Sequence, residues 1–550
     1  MYKWKVLSQY DASESIRDRL LENRGIASSR EKKLFLEPPP VSYWFQRLPK
    51  DLLRSLRDAR EMIQECIRKE QALIIHGDYD ADGVCAAAIL YKTIREELGY
   101  EHVYAFIPNR FSHGYGLSDR SIDGALEMVG EEFKNKGVLF ITVDCGITSV
   151  SEVARLKKLN HKVIITDHHQ KPKDLPPADV LVWYDQVVGA VLSYLLSKVL
   201  GGQSKDHIAL ASIATITDLQ PVLNFNRTLV KEGLEVLNHN PPLGIKNILA
   251  ASGRSSGEIT TYDLGWLVGP RLNATGRVED AKYALELLLE QDRERSREMA
   301  WELNRVNTLR QDKTMEMFDL ASDVEGKELP KIIISQHDDY HEGIIGLVAS
   351  KLAQRYSRPA IVISTSEDIV KGSVRSISGI DIIDVLRQLD DGLFLSLGGH
   401  PMAAGFSMHK KDIQTLTDLL EKYAQENIED ENLVKTLEID MAIPIGIIDE
   451  NLLDEIEQLK PFGMGNRQPV FASENLDVAG VNFVGGQQQH LSLRLYDGED
   501  FFKAIFFNYG DHFEKEISVG DKIDIAYTLK KNEYKDKVNI DLVVKDIKKN

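Results

Sequence analysis

The stretch His76-Gly77-Asp78-Tyr79-Asp80-Ala81-Asp82-Gly83 puts three carboxylates into one turn, directly after an apolar run. Like charges this close repel one another unless protons or cations neutralise them. Oxygen ligands of this kind suit hard divalent cations, Mg2+ or Mn2+, and the imidazole of His76 shifts the preference toward Mn2+. A calcium loop opens with the same D-x-D-x-D-G pattern. Its twelfth position needs a bidentate Glu and here holds Ile89, and the motif follows an expected strand, not a helix. Taken alone, the motif also fits an acidic turn with a purely structural role.

Other acids and imidazoles stand at comparable places. Asp144 follows the apolar run VLFITV (138–143), Asp167, His168 and His169 follow KVIIT (162–166), and Asp218 follows IALASIATIT. A single Asp at such a place is commonly a helix cap, and a single His a satisfied core or surface residue. Several together at the carboxyl ends of strands mark the expected site position of an open α/β sheet. There is no glycine-rich nucleotide loop of the P-loop type, which argues against ATP-driven work.

The elements that must position these residues can be read from the hydrophobic pattern. ALIIH (72–76), VLFITV, KVIIT and VLVWY (180–184) are expected strands, and VCAAAILYKTI (84–94) and VSEVARLKKL (150–159) expected helices. This alternation predicts a parallel, doubly wound sheet. Residues 1 to about 70 read as a polar helical segment with an amphipathic helix at DLLRSLRDAR (51–60). From about 230 the pattern is mainly helical, and the charged run from Ala281 to Val324 is expected to form a long connecting helix or a solvated spacer. A second α/β unit begins with strand KIIIS (331–335), helix GIIGLVASKLAQRY (343–356) and strand PAIVIS (359–364), with glycine-rich turns expected at KGSVRS (371–376) and LGGHPMAAGFS (397–407). HLSLRLY, FFKAIFF, KIDIAYTL and KVNIDLVV alternate with period two near the C-terminus and predict a small antiparallel barrel of the OB type.

The totals bound the function class. At roughly 150 residues per domain, 550 residues imply about three or four domains. No apolar run approaches the ~18 residues of a membrane span, and the N-terminus lacks the apolar core of a signal peptide, so a cytoplasmic location and no membrane partner are expected. Cys66, Cys85 and Cys145 are too few and too scattered for a disulfide framework or a zinc knuckle. The net charge of -18 speaks against wrapping a duplex and is neutral for threading one strand through a local basic channel.

In order, HGDYDADG, VDCG, TDHH and TDLQP resemble the DHH phosphoesterase superfamily. PNRFSHGYGLS (108–118), GPRLNATGR (269–277), HEGIIGLVASKL (341–352), KGSVRS, GGHPMAAGF and LKPFGMGNRQPVF (459–471) are similar, more narrowly, to its RecJ exonuclease family. The resemblance implies an α/β fold: a parallel-sheet DHH domain joined by a long helix to a second, DHH-associated α/β domain, with a C-terminal OB barrel. The corresponding boundaries are 1–70 for the N-terminal segment, 71–230 for the catalytic domain, 231–328 for the helical region, 329–430 for the associated domain, 431–455 for a linker and 456–550 for the barrel.

It also implies a metal-dependent 5′-to-3′ exonuclease that digests single-stranded DNA to mononucleotides in repair and recombination, with two Mn2+ or Mg2+ ions per site. Asp80, Asp82, Asp144, His168 and Asp218 would be ligands, with Asp144 bridging and acting in catalysis. His76 and Asp78 are further ligand candidates, Asp167 would orient its neighbours, and His169 would face the scissile phosphate. Arg110, Arg271, Asn273, Arg277, Ser373 and Arg375 match positions lining the substrate channel, some of them clamping a 5′-phosphate. Gly398 and Gly399 would let backbone approach phosphate, with His400 at the scissile group. Tyr496, Phe501, Phe502, Phe506, Phe507 and Tyr509 would offer stacking faces, about half of them pointing into the barrel core. Lys530, Lys531, Lys535, Lys537, Lys545, Lys548 and Lys549 make that end basic. A helicase and a single-strand-binding protein are the partners in view. Two alternatives remain: a DHH phosphodiesterase of short oligonucleotides or cyclic dinucleotides, whose members look like the two α/β domains without the barrel, and a non-catalytic replication scaffold.

Overall fold

A computed structural model describes residues 2–254, 256–322, 329–389, 392–509, 517–534 and 537–550, with the side chains of 533, 534, 537 and 538 left aside. Val324 and Lys535 therefore lie outside the described residues, as does the side chain of Lys537. The chain forms two compact units, Pro39–Ile428, and Met1–Pro38 together with Glu429–Asn550.

The larger unit holds a five-stranded sheet in the order Val103–Phe106, Leu73–Gly77, Leu139–Val143, Lys162–Asp167, Val180–Trp183. All its pairings are parallel. Leu73–Gly77 and Leu139–Val143 are buried at every residue, as strands covered on both faces must be. The cover includes Ala81–Lys92 and Gly189–Leu200, helices apolar on nearly every side and buried accordingly. The strand order reverses around Leu73–Gly77, so Asp78 and Asp144 leave neighbouring strands at the topological switch point. Val103–Phe106 is a strand that hydropathy did not announce; its four residues are anchored by pairing with Leu73–His76. One apolar core takes in residues from Val41 to Leu303, including helix Lys50–Arg68, so the expected boundaries near 70 and 230 run through packed interior.

The expected single helix over 281–324 is two, Lys282–Leu289 and Arg293–Ala321. Glu290 is extended, and the Asp292 side chain accepts from Arg295 N at 2.8 Å, which restarts the helix. The 29 residues of the second helix span about 44 Å. Beyond it, the second sheet runs Phe394–His400, Ala403–His409, Ile369–Arg375, Ala360–Ser364, Ile333–His337, and only the last two pair in parallel. The glycine-rich segments expected as turns are thus strands. Gly372 is opposite Phe406, whose ring fills the space a Cβ would need. At Gly399 a Cβ would collide with Ala403 O, and φ is +152°.

In the smaller unit, Lys3–Val6 pairs in parallel with Thr436–Ile439, so the chain opens in a strand. The expected linker 431–455 carries that strand, Met441–Ala442 and the start of helix Glu450–Glu457. The barrel orders Met441–Ala442, Phe471–Val484, His490–Tyr496, Phe501–Phe506, Lys537–Lys549 and Lys522–Tyr534, and closes by pairing Phe471–Val484 with Lys522–Tyr534. No helix among the described residues is long and apolar enough to cross a membrane. The three cysteines are buried and free.

Arg24 ties the N-terminal segment to this unit. It donates to Asp440 Oδ1 at 2.9 Å, Leu20 O at 2.6 Å, Asn466 Oδ1 at 3.1 Å and Arg467 O at 2.7 Å, with its side chain only 6 % exposed. Arg24→Ala leaves the largely buried Asp440 carboxylate without its cation and is expected to destabilise the unit by about 3 kcal/mol. Hydrogen exchange of the amides in Thr436–Ile439 should accelerate accordingly; unchanged protection there would contradict the assignment.

Candidate metal centre

The acidic motif is shaped by the helix it opens. Asp80 caps Ala81–Lys92, its Oδ1 accepting from Asp82 N at 2.9 Å and Gly83 N at 3.1 Å. Gly83 is needed because a Cβ there would collide with Asp78 backbone. Asp82 in turn accepts from the first amides of Gly189–Leu200, Gly189 N and Ala190 N, both at 2.7 Å, where the helix dipole favours negative charge. Gly189 packs so closely on Asp144 that a Cβ would sit 2.5 Å from the Asp144 Cβ. Asp144 itself has φ +60°, a left-handed conformation that costs a non-glycine residue on the order of 1 kcal/mol. Asp167 ends its strand by accepting from Ile147 N at 2.9 Å and His169 N at 3.0 Å, with His169 Nδ1 at 2.8 Å.

These elements bring side chains into three overlapping groups, each with candidate ligand atoms within 4.8 Å of one another: Asp78, Asp80 and Asp144; Asp82, His168 and Asp218; Asp144, His168 and His169. His168 Nε2 lies 3.1 Å from Asp144 Oδ1, 3.7 Å from Asp82 Oδ2 and 3.8 Å from Asp218 Oδ2. Asp78 Oδ1 and Asp144 Oδ1 are buried with no hydrogen-bond partner among the described residues, an arrangement that calls for an explanation. Burial, joined by the neighbouring carboxylates, pushes Asp78, Asp82 and Asp144 above the usual carboxylate range. Burial holds His168 below its ordinary value, leaving a neutral ring with a lone pair. Burial works against the charge on His169 too, but its hydrogen bond to Asp167 and the surrounding carboxylates raise it to about 9. Buried carboxylate oxygens without partners beside a neutral imidazole fit a hard divalent cation such as Mg2+ or Mn2+.

Of the expected ligands, Asp78, Asp80, Asp82, Asp144, His168 and Asp218 come together, and His169 joins them. His76 belongs to none of the groups. Its Nε2 is 3.0 Å from Ser121 Oγ, its Nδ1 faces Cys145 Sγ at 3.9 Å, and its ring lies against Phe106. Burial lowers it to about 4, so it is a neutral interior group. The strand, which ends at Gly77, keeps the ring among these interior neighbours.

The segment GPRLNATGR braces the acidic loop. Asn273 Oδ1 accepts from Ala81 N at 2.7 Å, and a Cβ on Gly276 would come within 2.5 Å of Tyr79 O. Asn273 is therefore a positioning residue for the loop. Arg271 points elsewhere, donating to Asn304 Oδ1 at 3.0 and 2.8 Å and to Leu267 O at 2.8 Å. Arg277, Arg110 and Arg375 form a cationic cluster. Arg110 lies 5.1 Å over the Tyr79 ring. Burial, and then the charge of Arg110, lowers Arg375 and also lowers Arg277, to about 10. Arg375 donates to Ser373 Oγ at 3.1 Å, and both side chains crowd Gly346, near the start of helix Ile345–Tyr356. Gly343 packs on the Arg277 carbonyl.

Arg310 was not singled out by the sequence. It depresses Arg271 and Arg277, and its Nε is buried without a hydrogen-bond partner among the described residues. Only its place on the long helix betrays it; no spacing does. Gly398 and His400 lie on the exposed strand Phe394–His400, and no hydrogen bond or ion pair joins His400 to the acidic pocket among the described residues. A Cβ on Gly398 would meet open space. Asn273→Ala should weaken Mn2+ binding about tenfold by calorimetry without unfolding the protein; an unaltered affinity would remove Asn273 from the site.

Three family matches follow the chain: the DHH family N-terminal domain over residues 72–216, the DHHA1 domain over 329–426 and the RecJ OB domain over 439–546. The single-stranded-DNA-specific exonuclease RecJ of Bacillus subtilis is 31% identical over 96% of this chain and 67% of its own length. That of Thermus thermophilus is 30% identical over 98% of this chain and 79% of its own. The crystal structure of RecJ in complex with Mn2+ from Thermus thermophilus superposes with a TM-score of 0.82 at 26% identity, covering 100% of this chain and 80% of that one. Likeness of this extent, over all three domains and around an acidic centre, means that the chain belongs to the RecJ exonuclease family of the DHH superfamily.

Proposed function

We propose that this protein is a metal-dependent exonuclease that degrades single-stranded DNA from its 5′ end to mononucleotides, in repair and recombination. The observation that carries the reading is the buried cluster around Asp144, in which Asp78 Oδ1 and Asp144 Oδ1 lack hydrogen-bond partners among the described residues, in a chain alike over its length to single-stranded-DNA-specific exonucleases. Polarity and strand preference rest on that likeness. Two Mn2+ or Mg2+ ions would be held by Asp78, Asp80 and Asp144 on one side and by Asp82, His168 and Asp218 on the other, with Asp144 shared. Bound there, such ions supply Lewis acidity, polarising the phosphodiester and acidifying water.

The chain's own residues do the rest. His169, charged and held through Nδ1 by Asp167, has Nε2 left to donate to a phosphate oxygen. Arg110, Arg277 and Arg375, with Ser373, form a fork-rich pocket for a terminal phosphate, where an anion relieves the mutual repulsion of the cations. In the barrel, Phe501 and Phe507 are exposed, and Arg494 lies 4.0 Å over the Phe501 ring. Phe483, which the sequence reading passed over, is exposed as well. These faces suit bases without regard to sequence. Phe506 and Tyr509 belong to the interior.

The domain scheme of a catalytic unit near 71–230, an associated unit near 329–430 and a barrel near 456–550 is kept as a functional division. So is a cytoplasmic location, with strands supplied by a helicase and met under a single-strand-binding protein. The barrel speaks against an enzyme specialised for dinucleotides. The filled ligand positions speak against a scaffold.

Asp144→Asn is expected to lower kcat on an end-labelled single strand by at least about a thousandfold, while strand binding in EDTA is retained; substantial hydrolysis by this variant would overturn the metal centre. Arg375→Ala should cost roughly ten- to hundredfold in kcat/KM on 5′-phosphorylated strands and much less on 5′-hydroxyl strands. Equal losses on both would move the phosphate pocket elsewhere.

A further inference from the structure

Among the described residues, the four most exposed large apolar side chains are Trp266 (68 %), Val519 (66 %), Leu219 (65 %) and Tyr262 (64 %). Three of these four, Leu219, Tyr262 and Trp266, flank a contact between two helical segments, one of which ends at Asp218. Helix Asp206–Thr217 ends at Asp218, and Leu219 follows with φ +57°. The π-turn Leu264–Val268 lies against the last turn of that helix. A Cβ on Gly265 would touch Ile216 at 3.5 Å, and one on Gly269 would collide with Thr217. Tyr262 and Trp266 stack on each other, with ring centroids 6.1 Å apart and planes 26° from parallel.

The backbone under this pair is held firmly. Asp263 accepts from Thr260 N at 2.7 Å and pairs with Arg254 Nε at 2.6 Å, and Asn238 accepts from Ile259 N at 2.7 Å. Two wide, solvent-exposed rings thus stand on a well-braced segment that packs against the last turn before Asp218, a residue of the acidic cluster. Leu219 holds a left-handed conformation that a branched side chain adopts at a cost. Neither Leu219, Tyr262 nor Trp266 carries charge, and the neighbouring cation Arg254 is paired with Asp263. A surface of this kind recognises flat apolar faces and offers phosphates no charge.

We propose that Tyr262 and Trp266, with Leu219, form a base-stacking platform for the single strand beside the metal centre. The inference rests on the single-strand reading above and adds a contact to it: bases lie on these rings while phosphates are held by the arginine cluster. Its energetics are those of stacking, tolerant of sequence and largely independent of salt, whereas phosphate contacts release counterions.

The test measures dissociation constants of the full-length protein in EDTA by fluorescence anisotropy, for a thymidine strand and an abasic strand of equal length. Trp266→Ala and Tyr262→Ala should each weaken the thymidine strand about tenfold, leave the abasic strand little changed and preserve the slope of log Kd against log salt. Trp266→Phe should restore most of the affinity, and circular-dichroism melting should show all variants folded. Wild-type affinity of Trp266→Ala for the thymidine strand, or an equal loss on both strands, overturns the platform alone. If the unsubstituted protein binds neither strand, the nuclease reading falls and the platform with it.

Discussion

Mutual repulsion among buried carboxylates is the constraint around which the larger unit is built. Asp78, Asp82 and Asp144 are almost wholly out of water, with Asp80 and Asp218 close by. Burial and proximity both favour their protonated forms, and a divalent cation is the alternative that keeps them ionised. The fold offsets part of the cost without metal. The first amides of Gly189–Leu200 answer Asp82, those of Ala81–Lys92 answer Asp80, and Ile147 N answers Asp167. Among the described residues Asp78 Oδ1 and Asp144 Oδ1 are left unanswered, and a divalent cation is the partner that suits them.

The same unit handles the opposite sign with residues scattered along the chain. Beyond burial, the charge of Arg110 depresses both Arg277 and Arg375, and Arg310 on the long helix depresses Arg277 further. An acidic pocket that wants cations and a basic one that wants anions, joined by a segment whose Asn273 and Gly276 touch the acidic loop, would give the proposed function a polarised seat for a phosphate-bearing strand. The uncharged rings of Tyr262 and Trp266 make a third kind of surface, indifferent to both signs.

Much of this was legible in the sequence, and what was not has a physical cause. Apolar runs of five or six residues gave the parallel sheet, because such strands are buried on both faces and leave no alternation to misread. Acids at their carboxyl ends pointed to most of the residues that come together in the cluster. The glycine-rich segments at 371–376 and 397–407 looked like turns, since glycine is common there. Their strand character depends on Phe406 filling the gap over Gly372, a cross-strand relation that no local window contains. His76 has the right residue type at the right spacing, yet Ser121 claims its ring from 45 residues away. Arg271 and Asn273 sit two apart on one helix and face different neighbours, Asn304 and Ala81. Sequence spacing announces that residues are available for chemistry; tertiary packing decides which of them point at it.

The contact between Asn273 and Ala81 joins positions 192 apart in the chain. The acidic loop, though it lies near the start of the sheet, is closed by a helix encoded far downstream of the last strand. A fragment cut after Trp183, where the sheet is complete, or even after Asp218, where the last ligand is present, would still leave the Ala81 amide without its acceptor. Any attempt to trim this protein to a minimal cutting module must therefore keep the chain through at least Gly276, and a nascent chain acquires a finished centre only once that stretch has been made.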